Sequence, residues 1–231
     1  MAEKDFPNNS SQKFLGLTKV VACQVFKDEL EHLGINEEKC LFIDQELHRS
    51  PSELNKTLNE TIRNIEGTYS PETIIVVYGY CGGALENIST VRANLILAKV
   101  TDCIPLLLGR EPERIDPEGK GVYYVSRGWM SYAKYPYREY LELKEKYGHE
   151  DAYWSCKELL KSYKRVVSIL NIPNDSLDWL KKAREFALFF SMEHGELRGD
   201  IQLLRSLLKG QPSGRVFRIT PGRKVSKSDF E

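Results

Sequence analysis

Cys81 stands inside the glycine turn Gly79-Tyr80-Cys81-Gly82-Gly83, directly after the β-branched run Ile74-Ile75-Val76-Val77. Such a run is the pattern of a strand buried on both faces of a parallel sheet. Ligands of open α/β sheets bind beyond the carboxyl ends of the strands. A thiol at that point is placed for chemistry, and the N–H groups of the turn are expected to favour its thiolate. Cys103, beside Asp102 after a second apolar run, and Cys23, near the end of a first one, repeat the arrangement. Three thiolates converging from three strand ends would suit zinc or an iron–sulfur cluster, because soft sulfur donors select those centres. The chain has no CxxC pair, so the metal expectation depends on the fold bringing distant cysteines together.

Other residues join the candidate site by type and position. His48 offers an imidazole that coordinates or titrates near neutral pH, and Asp102 a carboxylate beside Cys103. Gly79, Gly82 and Gly83 leave room for a cofactor close to the backbone. Arg127-Gly128-Trp129 is read as a turn supplying a cation and an aromatic wall, although Trp also fills cores. Gly199-Asp200 is either a helix cap or a site carboxylate, and Arg205 faces an anion or solvent. Cys40, starting a strand, and Cys156, within a helix, read as buried core.

The elements that must hold these residues alternate strand and helix. Strands are expected at Val20–Val25, Cys40–Asp44, from Thr73, and at Leu95–Val100, Val122–Ser126, Val166–Ile172 and Val216–Thr220. Helical spacing continues through Phe26, Leu30 and Leu33 to Gly34. Leu54, Leu58, Ile62 and Ile65 form a helical stripe ended by Gly67, with Ser50 or Ser52 as cap and Pro51 in the first turn. Further helices are expected from Leu85 to about Arg92, at Arg138–Lys146, Tyr153–Tyr163 and Ser176–Phe190 (capped by Asp175 or Ser176), and at Gly199–Leu208. Ile104–Leu108 is core or helix, and Glu111–Lys120 a loop. The expected fold is α/β, a largely parallel Rossmann-like sheet with flanking helices and a helical insert at about 132–163. It forms a single domain over 17–222, between a disordered tail at 1–16 and a charged tail at 223–231.

Composition removes whole function classes. Basic and acidic residues balance at 33 each, so no global field draws the chain to nucleic acid or an anionic membrane. No apolar run is long enough to span a bilayer, and the N-terminus lacks the apolar core of a signal peptide. Five widely spaced cysteines do not form a secreted disulfide framework. A cytoplasmic protein is expected, with the sequons at Asn59 and Asn87 unglycosylated. The glycine turn has neither the GxGxxG spacing nor a P-loop.

Several pieces together resemble the bacterial and archaeal domain-of-unknown-function family 1638. They are Ala22-Cys23-Gln24-Val25, Leu47-His48-Arg49-Ser50-Pro51, the Tyr78–Gly83 turn, Asp102-Cys103-Ile104-Pro105, Tyr123-Tyr124 with Gly128-Trp129, and Gly199-Asp200-Ile201-Gln202-Leu203-Leu204. The likeness runs from Val20 to Gly222. It implies site roles for Cys23, His48, Cys81, Asp102, Cys103 and Trp129, and a setting in corrinoid-dependent methyl transfer. The partner would then be a corrinoid protein or a methyltransferase, with the corrinoid as partner-borne substrate. Gln24 departs from the family pattern, where an acidic residue is expected.

The leading expectation is a protein binding zinc or an iron–sulfur cluster through Cys23, Cys81 and Cys103, with His48 close by, serving a small-molecule substrate in methyl transfer or one-carbon metabolism. One alternative is a metal-free cysteine enzyme of racemase or acyl-transfer type, using Cys81 and Cys103. Another is a non-catalytic partner of a methyltransferase that docks through residues 132–163.

Overall fold

The β-branched runs become strands, and their order decides where the cysteines go. The computed structural model describes residues 17–35, 37–110, 121–173 and 177–231. The expected tail at 1–16, the loop Glu111–Lys120 and the cap at Asp175 or Ser176 lie outside the described residues. Strand β1 (Thr18–Cys23) pairs in parallel with β2 (Cys40–Ile43) on one side and β3 (Thr73–Val77) on the other. Next to β3 runs β4 (Asn94–Ala98), also parallel, and an antiparallel edge strand β8 (Val216–Ile219) closes the sheet. A second sheet is wholly parallel: β5 (Val122–Val125), β6 (Arg165–Leu170) and β7 (Glu193–Arg198). The α/β class with mostly parallel strands is as the sequence implies. The division of the strands into two sheets is not visible in hydrophobic periodicity, because a buried parallel strand reads alike in either sheet.

Helices cover both sheets. The first is the short α1 (Lys27–His32), and α2 (Pro51–Tyr69) follows β2. Ser50 is the residue preceding α2, Pro51 opens it, and Leu54, Leu58, Ile62 and Ile65 are buried beneath it. The helix passes Gly67 and ends where Ser70 turns left-handed, so Gly67 is an interior residue. After β4 comes α3 (Ile104–Leu108), and after β5 comes α4 (Arg127–Tyr132). The segment Arg127–Trp129 is therefore helix and not turn. Its start is fixed by Ser126, whose hydroxyl oxygen accepts from Trp129 N at 3.2 Å. The insert forms α5 (Pro136–Tyr147) and α6 (His149–Leu159), within the crossover that two parallel strands require. Helix α7 (Asp178–Phe189) follows β6, and α8 (Gln202–Leu208) follows β7. One apolar core surrounds the five-stranded sheet, and a second packs β5 and β6 against the insert and α7. Among the described residues no helix is long and apolar enough to cross a membrane.

Three further segments add to these differences. No helix forms between Leu85 and Arg92: the chain takes turns there. The buried Glu66 carboxylate accepts from the backbone N–H groups of Val91, Arg92 and Ala93. Asn55 donates to the carbonyls of Ala84 and Glu86. These side chains from α2 satisfy the backbone that a helix would otherwise pair internally. Strand β7 was not expected, because its residues (Glu-His-Gly-Glu-Leu-Arg) are polar; it is a sheet edge that contributes little apolar surface. The charged segment 223–231 packs on the domain: Val225 is buried and exchanges backbone hydrogen bonds with Asn87 and Ile88.

Candidate thiol site

The parallel order β2-β1-β3-β4 aligns the carboxyl ends of four strands, and three cysteines leave from three of them. Cys23 is the last residue of β1, while Cys81 and Cys103 lie in the turns after β3 and β4. Two backbone bonds tie those turns together, from Tyr80 N to Val100 O at 3.0 Å and from Cys81 N to Thr101 O at 2.8 Å. They bring the Cys81 and Cys103 sulfurs to 3.8 Å. The Cys103 thiol also interacts with that of Cys23, so it stands between the other two.

The glycines permit this approach. A Cβ on Gly79 would lie 2.4 Å from the Asp102 backbone, so the two turns touch main chain to main chain. Gly82 and Gly83 take left-handed backbone, and Gly82 packs on Pro51. Cys81 itself is left-handed, with φ of 47°, a conformation that costs a residue with a side chain about 1–2 kcal/mol. The amides of Cys81, Gly83 and Ala84 are spent on the carbonyls of Thr101, Tyr80 and Cys81 and not on the Cys81 sulfur. Instead the Gly79 amide is directed at the Cys103 sulfur, and the Val25 amide at that of Cys23.

Crowding of thiols governs their ionisation. The Cys103 thiol and burial push Cys23 well above the ordinary thiol range. For Cys103, the hydrogen bond with Cys23 lowers the pKa, but the Cys81 thiol and burial outweigh it and hold the group well above the usual value. Tyr78, 1% exposed, lies behind them; burial and the three thiols raise its pKa too. Its hydroxyl faces Cys23 but makes no well-formed hydrogen bond.

All three cysteines line one cavity of about 420 Å³ with His48, Gln45, Asp102, Gly82 and Trp129. Its far wall comes from the other sheet: Val122, Tyr123, Tyr124, Val125 and Ile169. No lysine or arginine is among the described lining residues. The His48 ring packs edge-on against Trp129, centroids 5.0 Å apart. Its Nδ1 contacts the Gln45 carbonyl; donation there leaves Nε2 as the acceptor, the tautomer suited to a ligand or a proton carrier. Asp102 Oδ1 accepts from Ile104 N at 2.8 Å, at the first residue of α3, so the carboxylate has a structural task as well.

The sequence-predicted residues thus largely converge. Cys23, His48, Cys81, Gly82, Asp102, Cys103 and Trp129 share the cavity wall, while Gly79 supports it from behind and Gly83 completes the turn. Cys40 and Cys156 are buried elsewhere in the two cores. Tyr78 and Gln45 were missed. Tyr78 follows a β-branched run and reads as core; Gln45 reads as loop, yet it is 1% exposed, with neither polar atom of its amide hydrogen-bonded.

Among the described residues no three or more His, Cys, Asp or Glu side chains are grouped as they stand so that they could hold a metal ion. The donor chemistry can nevertheless be tested against an ion. Two thiolates on one tetrahedral zinc, with Zn–S of ~2.3 Å, stand about 3.8 Å apart. The Cys81–Cys103 separation matches that value, which also suits a hydrogen bond between neutral thiols. Amides directed at Cys23 and Cys103 sulfur, and a histidine whose second nitrogen contacts a carbonyl, are the supporting contacts that thiolate and imidazole ligands use.

Fold and site define a mostly parallel α/β protein with a thiol-lined cavity at its strand ends. The chain belongs to the family described as "Protein of unknown function (DUF1638)", which it matches over residues 42–208. That span includes His48, Cys81, Cys103 and Trp129, and leaves Cys23 outside. No curated protein and no solved structure matches the chain.

Proposed function

We propose that the chain binds a single soft metal ion, zinc by preference, through Cys23, Cys81 and Cys103, with His48 beside it. The observation that carries the reading is the Cys103 thiol held between Cys23 and Cys81 on a cavity wall without a described lysine or arginine. Three adjoining thiols cannot ionise together unless a positive charge arrives, because each thiolate repels the next. A divalent cation supplies that charge and takes up deprotonated sulfur. The Gly79 and Val25 amides would then stabilise the thiolates they already face. A four-iron cubane cluster is the less favoured occupant, since it holds each cysteine on a separate iron and spreads their sulfurs.

When bound, such an ion supplies Lewis acidity toward a thiol in an open position, the chemistry that methyl transfer to sulfur requires. The protein's part is to orient and enclose: Trp129, Tyr123 and Tyr124 would exclude water, and His48 Nε2 would accept a proton from the substrate. Through the family resemblance the reading extends to corrinoid-linked methyl transfer, with a corrinoid protein or methyltransferase as partner. Exposed Leu141, Tyr147, Trp154 and Leu159 on the insert helices favour such docking.

The metal-free alternative has less support. Two thiols acting on opposite faces of a carbon need a substrate between them, and 3.8 Å leaves no room. Raised pKa values at Cys23 and Cys103 also keep those thiols protonated near neutrality.

Anaerobic purification followed by zinc, iron and acid-labile sulfide analysis tests the proposal on the parent chain and on Cys23→Ala, Cys81→Ala and Cys103→Ala. About one zinc per chain is expected, lost in each folded variant. A chain that takes up no zinc under reducing conditions, yet has one hyper-reactive thiol, would overturn it.

A further inference from the structure

A second cavity, of about 550 Å³, opens at the far end of α3. Ile104 and Leu107 of that helix line the thiol cavity, while Leu108 and the following Gly109 line the second. Its charged residues come from separate elements: Arg110 just after α3, Arg198 at the end of β7, and Arg205 on α8. Asp200 is the one carboxylate among the described lining residues, and its Oδ1 already accepts from Gln202 N at 2.9 Å. Three guanidinium groups against one carboxylate leave a local excess of two positive charges, in a chain whose charges balance overall.

The backbone around these arginines is fixed. A Cβ on Gly109 (φ +74°) would meet the Asp200 carbonyl at 2.5 Å. One on Gly199 would meet the Asn171 side-chain oxygen at 2.0 Å and the Leu107 carbonyl at 2.5 Å. The end of α3 and the exit of β7 therefore touch main chain to main chain, with the Asn171 side chain after β6 against Gly199, which holds the stems of Arg110 and Arg198 near one another. Several exposed arginines elsewhere in the chain are paired with carboxylates, as Arg49 is with Glu139, Arg184 with Glu196 and Arg223 with Asp229. Among the described residues none of Arg110, Arg198 and Arg205 has such a partner, and all three face the same space.

We propose that this cleft binds a multiply charged small organic oxyanion, a phosphate ester or a polycarboxylate, through Arg110, Arg198 and Arg205. The planar fork of arginine matches both groups through paired N–H···O bonds. The cleft lies beyond the carboxyl ends of β6 and β7, where parallel sheets take ligands, and its volume exceeds what one inorganic phosphate fills. The site stands independently of any metal at the cysteines.

Titration calorimetry and thermal melts with pyrophosphate and with citrate, each at matched ionic strength, test the proposal. The variants are Arg110→Gln, Arg198→Gln and Arg205→Gln, with Arg63→Gln on α2 as a remote control. Saturable binding of one probe per chain is expected, weakened about tenfold or more by each cleft substitution and unchanged in Arg63→Gln. Preference for pyrophosphate assigns a phosphate ester, and preference for citrate a polycarboxylate. Absence of saturable binding of either probe at millimolar concentration, or binding that the three cleft variants leave intact, would overturn the site.

Discussion

At the scale of single residues, the thiols' surroundings matter more than their number. Tyr78 is the clearest case. Its buried hydroxyl faces Cys23 without a well-formed hydrogen bond, so removing it should cost the fold less than ~1 kcal/mol. If Cys23 is a thiolate ligand, the hydroxyl is a supporting contact, and Tyr78→Phe should weaken zinc binding about tenfold. Competition against a chromophoric chelator, beside a thermal melt, separates the two effects. Equal losses in affinity and stability would instead mark Tyr78 as packing alone.

The raised thiol pKa values also predict a pH dependence. In the unfolded chain Cys23 and Cys103 ionise near 8.5; in the folded chain both do so well above the ordinary thiol range. Their protonated forms therefore add stability that is fully present below about 8.5 and lost as pH rises through the folded values, at about 1.4 kcal/mol per pH unit for each thiol. Cys40, pushed up by burial to about 12, and Cys156, raised to about 11, act in the same direction. The informative comparison is thus chelator-treated parent chain against Cys103→Ala between pH 7.5 and 10, where the parent's melting temperature should fall more steeply. Identical slopes would mean that the Cys103 thiol is not perturbed.

At the scale of elements, the site depends on two turns in main-chain contact. Gly79→Ala would force its new methyl group against the Asp102 backbone, destabilising the fold by about 2 kcal/mol. It would also part Cys81 from Cys103, so metal uptake should fall together with stability. Gly67→Ala is the matched control, because its Cβ meets nothing within 4 Å inside α2; it should stabilise the chain by about 0.5–1 kcal/mol. Zinc content and melting temperature of both variants check this. Normal zinc content in Gly79→Ala would detach the turn contact from the site.

Legibility differs among elements for physical reasons. Strands β1, β3 and β4 are plain in the sequence because burial on both faces demands unbroken apolar runs, and the cysteines at or after their ends could be singled out by that position alone. Strand β7 is obscure because an edge needs little apolar surface. The stretch after Leu85 looked helical because its backbone partners, Glu66 and Asn55, belong to a distant helix. Gln45 and Tyr78 join the site only through tertiary packing, which no local pattern reports.

At the scale of the whole molecule, segments at the carboxyl ends of the four parallel strands of the five-stranded sheet form one wall of the thiol cavity, and β5, with Ile169 of β6, forms part of the other. Metal bound there would link segments distant in sequence, so binding should also raise the melting temperature. The most direct test is calorimetric titration of the reduced, metal-free chain with zinc at pH 7, in buffers of differing ionisation enthalpy. Because Cys23 and Cys103 are protonated at that pH, binding as thiolates must expel their protons. The account predicts one zinc bound per chain with about two to three protons released, and correspondingly fewer in Cys103→Ala. Zinc binding without proton release, or no binding at all, would contradict a thiolate metal site.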